Sequence, residues 1–189
     1  MSLFLSGTWE HALLAQVVKE AADVAQRDGG YLGRTAIQKI VYFLQVLDVP
    51  MRYRFEVFHY GPFCNTILGD TEWLMADEVI ADSSPNPDKY SKFTPGPACE
   101  ELIAKHAAML ERYEGTVKST VKALLPLQPD HLELIATLDY AFREMKATLG
   151  KEPPKQKVLA RFREFKGAKF NDKEIADTYD RLKAAGLFG

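Results

Sequence analysis

Cysteine is scarce in this sequence. Among 189 residues only Cys64 and Cys99 carry thiols. That is too few for a disulfide scaffold, and no Cys-x-x-Cys pair offers zinc or redox chemistry. Both are expected to be reduced and partly buried, as in a reducing compartment. The four histidines, His11, His59, His106 and His131, are scattered, with no His-Glu-x-x-His pair. Gly-x-x-x-x-Gly-Lys, Gly-x-Gly-x-x-Gly and Gly-x-Ser-x-Gly are all missing, so the signatures of phosphate loops, dinucleotide folds and nucleophile elbows are missing too. The residues therefore predict no catalytic group, no metal and no cofactor. No apolar run approaches bilayer-spanning length. Residues 1–7 lack a basic segment followed by a long apolar stretch, so they do not read as a secretory signal. The expected location is cytoplasmic, away from membranes. A net charge of -2 provides no global basic field to attract nucleic acid.

What is present is an ordinary globular composition, 47% hydrophobic and 26% charged. The patterning predicts a mainly α protein with a small β component. Leu13, Leu14, Val17, Val18, Ala21 and Val24 recur at helical spacing over 9–26, ended by Gly29 and Gly30. A second helix follows from Thr35, with Thr35 and Gln38 at capping-box spacing, and stops at Pro50. Over 52–58 the period changes to two, which predicts a half-buried strand. A third helix is expected over 65–78. Two short strands, 79–81 and 90–93, then flank the turn-rich Ser83-Ser84-Pro85-Asn86-Pro87-Asp88. Helices followed by a hairpin give a winged-helix-like unit over 1–97. Residues 98–189 read as a helical half packed on it in one compact body. Its helices are expected over 98–125, over 130–149 with Asp130 and Glu133 as a capping box, and around Val158 to Phe165. The last is capped by Asn171 with Glu174 and closed by Gly186.

Three groupings could carry function. His59 and Cys64 flank a turn and could form a base and a nucleophile, although a packed cysteine beside a turn histidine explains them as well. Asp70, Glu72, Asp77 and Glu78 cluster on the third helix, as acid–base or metal-binding groups or simply as a solvated face. In a winged helix, the helix before the wing enters the DNA major groove. Here that segment, 65–78, holds no lysine or arginine, so a duplex would repel it. The remaining basic stretch, 151–169, includes Lys155, Lys157, Arg161, Arg163 and Lys166. It reads either as a solubilising helix face or as a docking surface for nucleic acid or an acidic partner. Trp9 and Trp73 could anchor an interface or fill a core.

Ala36-Ile37-Gln38-Lys39-Ile40-Val41-Tyr42-Phe43-Leu44 resembles the Lys/Gln-Lys-Leu-Leu-Tyr-Phe signature of the SocA-like, or Panacea, antitoxin domain. The Tyr60-Gly61-Pro62-Phe63 turn is similar to the Gly-Pro segment that follows a short strand in that family. The similarity covers about residues 13–93. Over the full length, the sequence resembles the YwgA-like group of bacterial proteins. The resemblance implies a bacterial or phage-associated cytoplasmic protein that is not an enzyme. It would act like an antitoxin, neutralising a partner protein, such as a toxin from a neighbouring gene, by direct contact. It also implies partner-binding roles for Gln38, Lys39, Tyr42, Tyr60, Gly61 and Pro62. The alternative expectation is a winged-helix nucleic-acid-binding regulator using the basic stretch 151–169. A homodimer fits either reading.

Overall fold

A computed structural model describes residues 7–188, so the expectation drawn from the chain's start lies largely outside the described residues. Eight helices and two small antiparallel hairpins are present among them, and the protein is mainly helical at 64%. No helix of these residues is long and apolar enough to cross a membrane.

The chain divides into two compact units, and the division is not the expected 1–97 and 98–189. The first unit holds the described part of Met1–Arg54 together with Cys64–Leu127. The second holds Phe55–Phe63 and Gln128–Gly189. The cause is hydrophobic pairing: the two helices after residue 98 pack on the first two helices of the chain.

In the first unit, α1 (Trp9–Asp28) and α2 (Arg34–Val46) supply most of the core through Leu13, Leu14, Val17, Ile37, Ile40 and Leu44. Thr8 caps α1 reciprocally with His11. This satisfies two orphan backbone donors, with His11 standing where Glu or Gln usually does. α2 instead starts after Gly33, with no side-chain cap, so the Thr35–Gln38 box does not form. Gln38 is occupied elsewhere. α3 (Asn65–Ala76), β3 (Ile80–Asp82) and β4 (Phe93–Pro95) follow. Then come α4 (Cys99–Lys105) and α5 (Ala107–Leu124). The single helix expected over 98–125 is thus broken at His106. β3 and β4 pair antiparallel, and Leu32 bridges to Phe93. Gly96 is required beside this hairpin: a Cβ there would lie 2.1 Å from the Glu78 carbonyl oxygen. The order α3, β3, β4 is that of a winged helix. The winged-helix assignment goes no further than this order, since β3 and β4 form a two-stranded sheet of their own.

In the second unit, β1 (Glu56–Phe58) and β2 (Gly61–Phe63) form a hairpin that packs on α6 (Pro129–Leu149). The expected strand over 52–58 is therefore only its last three residues. α7 (Lys155–Lys166) and α8 (Asp172–Ala184) complete the unit. Its core is aromatic: Phe142 stacks on Phe188 at 4.3 Å, and Phe162, Phe170 and Tyr179 join them. Pro129 opens α6, so Asp130 is not the cap, and Glu133 turns inward. The α8 signals hold. Asn171 accepts from the Glu174 N–H at 2.7 Å, and Leu187 N–H donates to the Leu182 carbonyl at 3.1 Å past Gly186.

Candidate functional site: an aromatic hairpin tip held by lysines

The β1–β2 hairpin is short, and its chemistry is set by the turn. Glu56 pairs with Phe63, Val57 with Pro62 and Phe58 with Gly61. Proline has no N–H to give, so Val57–Pro62 is a non-hydrogen-bonded pair and the ladder loses nothing there. His59 and Tyr60 make the turn, and Gly61 closes it with φ 86°, a conformation that favours glycine. Pro62 and Gly61 are buried. The tip is not: Phe58 is 60% exposed and Tyr60 63%. They are the two most exposed large apolar side chains among the described residues.

The tip is nevertheless fixed. The Lys166 ammonium donates to the His59 carbonyl at 2.8 Å and the Phe58 carbonyl at 3.3 Å. The same ammonium pairs with Glu133 at 2.9 Å, where both side chains are almost fully buried. Lys169 also donates to Glu133, at 2.7 Å, and sits 5.8 Å from the centre of the Tyr60 ring. The hydrogen bond from Lys169 to Glu133 raises the lysine's pKa above its ordinary value. Phe58 packs against His59 at 4.4 Å and Phe63 at 5.8 Å. One buried carboxylate on α6 thus organises two cations, and these hold the backbone and one ring of the tip.

The basic stretch is consumed in this and similar contacts. Lys155 pairs with Asp180 at 2.7 Å. Arg161 forks onto Glu144 at 2.5 and 2.9 Å and also meets Glu164. Arg163 donates to the Gly167 and Phe170 carbonyls and pairs with Asp172. Of the five cations singled out, only Lys157 keeps no ion pair or hydrogen bond among the described residues. Acidic partners come from α6, α8 and α7 itself, which a charge count along one segment does not show.

The signature helix is buried rather than displayed. Gln38 is 2% exposed; its amide donates to the Cys64 carbonyl at 3.0 Å and accepts from the Cys64 N–H at 2.9 Å. It completes backbone bonding before α3 as a strand neighbour would. Lys39 and Tyr42 are buried too, Tyr42 edge-on to Phe43 at 5.2 Å. Gln38, Lys39 and Tyr42 therefore build the first unit's core, while Tyr60, Gly61 and Pro62 lie in the hairpin of the second.

The first unit also contains a polar chain that sequence reading missed. Asp70, expected on a solvated face, accepts from the Tyr53 hydroxyl at 2.7 Å and faces His11 Nε2 at 3.2 Å. The other ring nitrogen, Nδ1, accepts from the Thr8 N–H at 3.4 Å. His11 is thereby held with its proton on Nε2, and neither nitrogen is open to a substrate. Burial pushes the Asp70 carboxyl up, but the hydrogen bonds from His11 and Tyr53 outweigh it, and the net shift is downward. Burial, together with Asp70, pushes the Tyr53 hydroxyl well above the usual tyrosine range.

His59 and Cys64 fall in different units. The Cys64 side chain is buried, and neither side chain has a hydrogen-bond partner among the described residues. Among those residues, no three His, Cys, Asp or Glu side chains converge as a metal site. Known protein families give no match to this sequence, and neither do curated proteins.

Proposed function

We propose that this chain is a non-enzymatic protein-binding module, antitoxin-like in action and cytoplasmic. It docks the Phe58-His59-Tyr60 tip onto a partner protein and neutralises or regulates that partner by contact. The observation that carries this reading is two exposed aromatic rings on a turn whose carbonyls are tied to a buried ion pair. Tyrosine and phenylalanine anchors bury large areas for little lost side-chain freedom, and a fixed turn has already lost its backbone entropy. The resemblance to the antitoxin domain points to the same Tyr60-Gly61-Pro62 turn. The local pairing of Lys155, Arg161, Arg163 and Lys166 favours a protein partner over nucleic acid, because phosphate binding draws on cations that are not already neutralised.

The experiment is capture from a lysate of the source cell with tagged protein, with and without nuclease, comparing the native chain with the Phe58→Ser, Tyr60→Ser double variant. One stoichiometric protein held by the native chain, indifferent to nuclease and lost with the variant, is the expected result. Partners that vanish on nuclease treatment and ignore the variant would overturn the reading in favour of nucleic acid.

A further inference from the structure

Away from the hairpin, the first unit contains a cleft of about 550 Å³ lined by Glu20, Asp23, Val24, Gln26 and Arg27 of α1 and by Lys118 and Lys122 of α5. That volume is in the range of small-molecule sites, roughly 300–1,000 Å³. The cleft brings charges of both signs together, with acidic groups from α1 and basic groups from α1 and α5. Elsewhere Lys19 pairs with Glu100 at 2.7 Å and Lys105 with Glu101 at 3.3 Å. In the cleft, the Asp23 carboxylate and the Lys122 ammonium have neither an ion pair nor a hydrogen bond among the described residues. Lys118 is spent on Glu114. Glu20 is 8% exposed, and the hydrogen bond it accepts comes from Gln16, a neutral donor, at 2.8 Å. A carboxylate so buried ordinarily needs a cation in contact. Burial raises its pKa against the weaker pull of Lys118 and Gln16.

We propose that this cleft binds a small zwitterion, its ammonium group against Glu20 and Asp23 and its carboxylate or phosphate against Arg27 and Lys122. Both signs are needed for this reason: a simple amine would leave the lysine side unanswered, and a simple anion would be repelled by Glu20. The ligand supplies the two ion pairs that the cleft residues do not make with one another.

Calorimetric titration of the full chain tests this, with 4-aminobutyrate, 6-aminohexanoate and phosphoethanolamine as probes and butylamine and butyrate as single-charge controls. At least one zwitterion should bind roughly tenfold or more tighter than either control, the step that one added ion pair of about 1.4 kcal/mol gives. The ranking of the three separates carboxylate from phosphate recognition and sets the span between charges. Glu20→Gln and Lys122→Gln should each weaken that binding roughly tenfold. Lys122 is exposed, so its variant retains the fold whatever Glu20→Gln does. No zwitterion binding beyond that of the controls, or binding unchanged in Lys122→Gln, overturns the proposal.

Discussion

The Lys166 ammonium lies 2.8 Å from the carbonyl oxygen of His59, across more than a hundred residues of sequence. The same nitrogen is 2.9 Å from Glu133. A basic residue that looks like part of a nucleic-acid surface is therefore an internal strut for an aromatic turn.

Lys166→Met should destabilise the protein strongly. Glu133 is 1% exposed and would keep only Lys169, while two backbone carbonyls would lose their donor. Removing one member of a buried pair costs about 3–5 kcal/mol. The companion double variant, Lys166→Met with Glu133→Met, should cost less than the sum of the two single changes. Urea unfolding of the four proteins gives the cycle, and strict additivity would deny the coupling.

Two glycines in the first unit should respond oppositely to alanine. At Gly96 the new Cβ would meet the Glu78 carbonyl at 2.1 Å, a backbone atom that cannot step aside cheaply. Gly96→Ala should cost about 1–3 kcal/mol, with some loss of the β3–β4 hairpin. Gly115 sits inside α5 with open space around it. Gly115→Ala should stabilise by up to about 1 kcal/mol through helix propensity. Thermal melts of the pair decide both.

Acid should weaken the first unit through Asp70. Its folded pKa is below the ordinary aspartate value. The stabilisation it provides is thus fully present above about pH 3.9 and is lost as pH falls through the folded pKa. Asp70→Asn should be less stable than the native chain at neutral pH, and the gap should narrow below about pH 4. Denaturation curves at neutral and acid pH measure the gap, and a constant difference would contradict the role of the Tyr53–Asp70–His11 chain.

Much of this architecture was legible. The stripes of α1 and α8 fix those helices because apolar spacing and caps agree there, as with Asn171 and Glu174. Other features depend on long-range contacts. The β2 strand hides in Gly61-Pro62-Phe63, since glycine and proline read as punctuation. Proline is tolerated only because its pair with Val57 needs no N–H. The break at His106 interrupts an uninterrupted helical pattern and has no flanking proline or glycine. Glu133 has capping-box spacing in sequence, yet its oxygens meet Lys166 and Lys169 from α7 and the loop after it. The Tyr60-Gly61-Pro62 turn is a candidate contact only through the resemblance, and the Lys166 and Glu133 groups that hold it lie far away in sequence. Gln38, drawn from the same resemblance, clamps the Cys64 backbone inside the core.

Phe58→Ala with Tyr60→Ala should leave stability within about 0.5 kcal/mol, because both rings are mostly exposed. A stability loss well beyond that in chemical denaturation would mean that the rings belong to the fold, not to an interface.

The decisive measurement is the affinity of the purified chain for the partner recovered by capture, compared with that of the Phe58→Ala, Tyr60→Ala variant under identical salt. The account predicts a loss of about thirtyfold or more, the scale of a hot spot worth about 2 kcal/mol or above. An unchanged Kd, with the variant folded as stably as the native chain, would show that the tip is not the docking surface.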